Sequence, residues 1–200
     1  MDAGPEIEGR HHHGHTGRPL LDLVLGVSAI VISVISLALA ILHGNAMERL
    51  VEANSWPFVE TNTSSAETDG SLHFRLGMVN KGVGPARIES LTVFYDGEPA
   101  EGPRALVDSI AGGPGKPRIN LLTSDVLNNV LSAKEAVNFV DVPVAGATAE
   151  QQGRLVEASH KMTFLTCYCS VFDECWTIDT REAAPHAHRT RICPAPVGNF

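Results

Sequence analysis

The chain has little positive charge. Its 15 lysines and arginines are outnumbered by 23 aspartates and glutamates, for a formal net charge of −8 over 200 residues. This balance argues against a nucleic-acid binder, which presents a basic face or stripe. Cysteine is also scarce, four in all, too few for a disulfide-built scaffold. Charged residues make up only 19% against 44% apolar, which excludes a disordered chain. Catalytic signatures are lacking as well. The sequence holds no His-Glu-x-x-His, no Gly-x-Ser-x-Gly and no calcium loop. Gly112-Gly113-Pro114-Gly115-Lys116-Pro117 fails as a phosphate loop, because Pro117 takes the Ser/Thr place. Gly82-x-Gly84 opens a strand rather than a helix, which argues against a dinucleotide fingerprint. No cofactor is expected. The length suits one domain with an appendage.

What is present in excess is one apolar run. Leu23 to Leu42 is twenty residues without a charge. As a helix it spans about 30 Å, the hydrocarbon thickness of a bilayer. It reads as a transmembrane helix over 20–43, with Asp22 and His43 near the two interfaces. A cleaved signal peptide is the rival, since Ala38-Leu39-Ala40 and Gly44-Asn45-Ala46 offer small residues for cleavage. The length of the run and the three acids of the preceding tail favour an uncleaved anchor. Gly26, Ala29, Ser33, Ser36 and Ala40 recur at spacings of 3, 4, 3 and 4. They fall on one stripe, where two backbones can approach closely in lipid. That stripe is the expected helix–helix interface of a parallel homodimer; the competing reading is the ordinary abundance of small residues in such helices. Two arginines precede the run closely and one, Arg49, follows it, so the positive-inside rule places the N-terminus in the cytoplasm.

Residues 1–19 are polar, rich in Gly and Pro, and are expected to be disordered. His11, His12, His13 and His15 there form a weak candidate site for nickel, zinc or copper. Residues 44–54 extend the helix, and Pro57 stops it by biasing Trp56 toward extended geometry. From 55 to 200 the chain reads as a mainly-β domain, an Ig-like β-sandwich with short helical insertions. Ser71 to Asn80 alternates, with Leu72, Phe74, Leu76 and Met78 on one side and Ser71, His73 and Arg75 on the other. Ala86 to Tyr95 follows, and the Asn80–Ala86 segment reads as a turn or bulge between paired strands. Asp96-Gly97 marks another turn. Ala136 to Val144 sets Val137, Phe139 and Asp141 against Ala136, Asn138 and Val140. Lys161–Val171 and Cys175–Thr180 read as a hairpin with Phe172-Asp173-Glu174 at its tip. Ser124 is expected to cap a helix bearing Val126, Leu127, Val130 and Leu131, Thr148–Ser159 forms a second helix, and Pro103–Ile110 a short turn. The charge sits mainly here: 13 basic and 19 acidic residues lie from Gly44 onward, a net of about −6, which argues against contact with anionic lipid headgroups.

Trp56-Pro57 just after the anchor, the turn Asn80-x-Gly82-x-Gly84-Pro85-Ala86, and the block Cys167-Tyr-Cys-Ser-Val-Phe-Asp-Glu-Cys-Trp176 together resemble a family of uncharacterised bacterial single-pass inner-membrane proteins. The resemblance covers segments 20–96 and 160–195. It implies an inner-membrane protein with an Ig-like periplasmic domain, and it brings no activity.

Four cysteines allow three pairings. Cys167 and Cys169, at i and i+2, point to one face of a strand. Cys169–Cys175 with Cys167–Cys193 is the favoured set, and Cys167–Cys175 with Cys169–Cys193 the alternative. Free thiols, or a metal site joining the thiols to His186 or His188, are the other readings; the spacing is not that of a zinc finger. His186 and His188 are otherwise expected in an exposed loop, and Asp173 and Glu174 to face solvent. Asn62-Thr63-Ser64 matches a glycosylation sequon, which matters only in a eukaryotic secretory setting. No catalytic residue is assigned. The expected function is a membrane-anchored, non-enzymatic binding module in the cell envelope. The alternatives are a membrane-tethered thiol or metal enzyme using Cys167, Cys169 and Cys175, and a regulatory subunit acting through its transmembrane helix.

Overall fold

The computed structural model describes residues 19–68, 71–112 and 116–200. The candidate histidines His11, His12, His13 and His15 lie outside the described residues. The chain divides into two units, residues 1–50 and 51–200, each described by itself.

The first unit is carried by helix α1, Pro19–Ala53, 35 residues long with no buried side chain. Proline suits the first helical position, where its missing N–H has no partner to lose. The apolar run and its expected extension form one unbroken helix, and Gly44 does not interrupt it. Ser33 Oγ donates to the Ala29 carbonyl (2.7 Å) and Ser28 Oγ to Leu25 (2.9 Å), so these two hydroxyls are satisfied within the helix. α1 is long and apolar enough to cross a membrane.

The second unit is a β domain of ten described strands in antiparallel pairs. They are β1 (Val59–Thr68), β2 (Ser71–Asn80), β3 (Ala86–Tyr95), β4 (Glu98–Pro99), β5 (Leu122–Thr123), β6 (Val130–Leu131), β7 (Ala136–Pro143), β8 (Met162–Cys169), β9 (Cys175–Asp179) and β10 (His188–Thr190). One sheet has the order β1-β2-β7-β5. The other runs β10-β9-β8-β3, with β4 and β6 pairing the far edge of β3 at its two ends. Helices α2 (Pro103–Ala111) and α3 (Ala149–Ala158) pack on each other. Thr148 caps α3 through a reciprocal box with Gln151. The Gln151 amide, itself buried, also donates to the carbonyls of Ala111 (2.9 Å) and Pro117 (3.1 Å). The two sheets meet across one core. Phe74, Leu76 and Met78 from β2 join Ile88, Leu91 and Val93 from β3, with Leu106 and Leu155 from the helices. Phe139 of one sheet meets Phe164 of the other edge-on, with ring centroids 6.4 Å apart.

Three expectations are corrected. Segment 80–86 does not join paired strands, because β2 and β3 belong to different sheets; it carries the chain from one to the other. The helix expected after Ser124 is absent. Asp125 instead ties a turn, accepting from Leu127 N (3.1 Å) at its carboxylate and from Asn129 Nδ2 (2.6 Å) at its carbonyl. Asn128 takes φ 59°, and Leu131 goes on to pair with Ala86 at the edge of β3. The third concerns β7. The ladder slips between Leu76↔Val140 and Gly77↔Asn138, so Phe139 is an extra residue. Phe139 and Val140 are both buried in consequence, and Asp141 turns to the outward face beside Arg75 rather than sharing the side of Phe139. Strand β1 was not anticipated. Its sequence, Val-Glu-Thr-Asn-Thr-Ser-Ser-Ala-Glu-Thr, has almost no apolar alternation, because an edge strand needs little.

The crossover is held by one side chain. Asn80 is fully buried. Its Nδ2 donates to the carbonyls of Gly84 (2.8 Å), Leu131 (3.1 Å) and Ser132 (3.2 Å). Its Oδ1 accepts from Gly82 N (3.0 Å) and Phe58 N (3.2 Å). Both glycines are needed for close approach. A Cβ on Gly82 would sit 2.6 Å from Pro57 Cα, and one on Gly84 would collide with the Ser55 carbonyl. Asp96 and Gly97 both take positive φ (53° and 86°), the backbone of a type I′ turn joining β3 to β4. Replacing Asn80 with Ala leaves buried backbone groups without partners, so unfolding of the variant is expected to cost about 3 kcal/mol less than wild type. Gly84→Ala is expected to do at least as much, since backbone must move. Chemical denaturation followed by circular dichroism measures both; a loss under about 0.5 kcal/mol for either would show the crossover to be dispensable.

Candidate functional site

The sheet containing β8, β9 and β10 carries most of the chemistry. Cys169 faces Cys175 across the β8–β9 hairpin, and their sulfurs are 2.02 Å apart. Cys167 and Cys193 have the same separation, which joins the segment after β10 back to β8. No described cysteine is free. With all four sulfurs at bonding distance, the hairpin offers no thiolate as nucleophile or metal ligand in this state. At the tip, Asp173 (φ 58°) receives Arg87 (2.9 Å), and Glu174 is held by Arg189. Arg87 also pairs with Glu89, and its guanidinium pKa is pushed up, first by Glu89 and then by Asp173. The two acids are thus charge partners of arginines. Val171 and Phe172, inside the loop closed by Cys169 and Cys175, remain 56% and 49% exposed.

Tyr168, on β8 of this hairpin, is fully buried and stacks on its cross-strand partner Trp176, ring centroids 6.0 Å apart. Its hydroxyl makes no hydrogen bond of normal geometry. Burial pushes its pKa up to about 12, and only the nearby backbone of Val59 opposes this.

A second cluster occupies the outward face of the first sheet. Ser71 Oγ lies 3.0 Å from His73 Nε2, His73 Nδ1 lies 2.7 Å from Asp141 Oδ1, and Arg75 Nε donates to Asp141 Oδ2 at 3.0 Å. The order of atoms is that of a serine–histidine–aspartate relay. Such a relay acts only with a substrate cleft and donors aimed at the reacting oxygen. The structure supplies another role: Asp141 bonds His73 and pairs with Arg75 of β2 from the neighbouring strand, a cross-strand polar contact on a partly covered face. The sequence signal was Ser71-x-His73-x-Arg75 on one side of a strand; Asp141 was missed because the bulge at Phe139 reverses its face.

A third cluster was not read as a site on its own. One ligand atom from each of Glu182, His186 and His188 lies within 4.8 Å of the other two. The thiols, which the alternative metal-site reading joined to these histidines, are paired with one another as the favoured reading has it. A cleft of about 650 Å³, lined in part by Arg104, Leu121, Asp125, Phe139 and Phe200, opens where the helix after Ser124 had been expected. The helix–helix candidates Gly26, Ala29, Ser33, Ser36 and Ala40 all lie on exposed α1.

Comparison with known proteins finds no matching family model, no similar curated protein and no similar solved structure.

Peptide mapping under non-reducing conditions is expected to recover Cys167 linked to Cys193 and Cys169 linked to Cys175. Recovery of Cys167–Cys175 would refute this arrangement. Tyr168 supplies a pH dependence. A folded pKa of about 12 exceeds the ordinary value of 10. Its neutral form is therefore favoured by folding below pH 10, and that contribution is lost as pH rises from 10 through 12. Tyr168→Phe is expected to match or exceed wild-type stability at pH 7, since it removes an unsatisfied hydroxyl. It is also expected to unfold less steeply above pH 10. Denaturation curves of both proteins at pH 7, 10 and 11.5 test this, and parallel alkaline limbs would contradict it.

Proposed function

We propose that the chain is a non-enzymatic, membrane-anchored binding module. Its helix is the anchor, and its β domain, read as an Ig-like sandwich, lies outside the cytoplasm. The observation that carries the reading is α1 itself, 35 residues long with its apolar surface wholly exposed. Such a surface is costly in water and favourable in lipid, where the helix satisfies its own backbone. Pairing of all described cysteines supports an oxidising compartment for the β domain. Together with the arginine count and the resemblance, this makes the bacterial inner membrane the proposed location, with the N-terminus cytoplasmic and the β domain periplasmic. The stripe Gly26, Ala29, Ser33, Ser36 and Ala40 is the proposed seam of a parallel homodimer in the bilayer.

The binding face is the disulfide-closed tip. Val171 and Phe172 are held out by a short covalent loop between ion pairs, and rigid exposed apolar groups with a polar rim are the usual anatomy of a protein contact. The envelope partner is thus a protein surface with an apolar pocket.

Membrane pellets are expected to retain the chain after alkaline carbonate washing, and protease added outside spheroplasts should digest residues 55–200. Digestion from the cytoplasmic side alone would reverse the orientation. A photo-crosslinking side chain in place of Phe172 should yield one discrete adduct in intact envelopes, lost on Val171→Ser. Absence of any adduct would remove the tip as the binding face.

A further inference from the structure

Strands β9 and β10 are joined by loop 180–187, and the loop is fixed at both ends. Thr180 N donates to the Phe164 carbonyl (2.9 Å), and Phe164 N returns a bond to Thr180 Oγ1 (2.7 Å). Arg181 clamps the Asp179 carboxylate (2.9 and 2.6 Å) and lies 3.9 Å from the centre of the Phe94 ring. Glu182 N donates to the Asp179 carbonyl (3.3 Å). At the far end His188 pairs with Thr177 in the sheet. His186 Nδ1 bonds the Ala184 carbonyl at 3.0 Å, which orients its ring.

This frame brings three side chains of metal-binding type together. Glu182 Oε2 lies 3.4 Å from His188 Nε2 and 3.9 Å from His186 Nδ1, and the two rings are 3.8 Å apart. A charge-assisted hydrogen bond would close to about 2.8 Å. Two donors on one tetrahedral zinc ion, each about 2.05 Å from the metal, sit about 3.4 Å apart. The 3.4 Å between Glu182 and His188 equals the separation of shared ligands and is long for a carboxylate–imidazole hydrogen bond. Because His186 Nδ1 is held by the Ala184 carbonyl, the usual support of a ligating imidazole, its Nε2 is the nitrogen left to bind an ion.

We propose that Glu182, His186 and His188 bind a borderline divalent transition ion, Zn²⁺ being the representative. Two imidazoles and one carboxylate are a donor set for such ions, whereas magnesium and calcium demand oxygen. Three protein ligands leave a coordination position open at the surface, for water or for a side chain of a bound partner. The site needs no thiol and does not depend on the binding role of the hairpin tip.

The experiment uses the full chain in detergent micelles, with His11, His12, His13 and His15 replaced by Ala to remove the tail as a competitor. Calorimetric titration with ZnCl₂ is expected to show one equivalent bound in the micromolar range. His186→Ala, His188→Ala and Glu182→Gln should each weaken binding by roughly ten-fold or more. Their unfolding midpoints without metal should stay at the parent value, because all three residues are exposed. Co²⁺ should give the visible absorption of a low-symmetry site in the parent and lose it in His188→Ala. No zinc binding by the parent, or equal affinity in the three variants, overturns the proposal.

Discussion

The β domain depends on how Asn80 is satisfied. At this residue the chain leaves one sheet for the other, and its backbone would otherwise enter the core with several polar groups unpaired. Asn80 spreads its bonds over three segments, at 58, at 82–84 and at 131–132, with its two Nδ2 hydrogens shared among three carbonyls. Each segment is thereby placed against the other two. The approach is tight enough that only glycine fits at 82 and 84. The strands beyond, from β3 onward, inherit their position from this crossing.

Beyond the core the logic changes. Of the residues in β9 and β10, Ile178 alone is buried. Hydrophobic burial there is thin, and covalent closure takes over: one disulfide across the hairpin and one to the segment after β10. The closure restricts the unfolded chain as well as the folded one. It allows the exposed Val171 and Phe172, and the Glu182–His188 cluster, to hold a geometry without a core beneath every residue.

Much of this was legible in the sequence. Alternation located β2 and β3 to the residue, a helix was expected over Thr148–Ser159 where α3 lies, and Asp96-Gly97 marked its turn. Other features were hidden for identifiable reasons. β1 is polar because an edge strand buries little. The turn after Ser124 was mistaken for a helix because Val126, Leu127, Val130 and Leu131 have helical spacing. Asp125 and the open edge of β3 offered its backbone better partners than a helix would. Asp141 was put on the wrong face by one bulged residue. Of the candidate clusters, the cysteines were visible as a group. The Glu182–His188 trio spans only seven residues but depends on loop 180–187 doubling back, which no local pattern encodes.

The sequence by itself determined what is periodic or compositional: an uninterrupted apolar helix, an acidic β-rich body, and the strands whose side chains alternate. These follow from interactions within a few residues of one another. Tertiary structure alone decided which strand lies in which sheet, where Phe139 is bulged, what Asn80 bonds and which imidazoles converge. Those outcomes turn on contacts between residues up to about fifty or more positions apart, such as Asn80 with Leu131 and His73 with Asp141. A one-residue slip reverses the direction of every side chain that follows it.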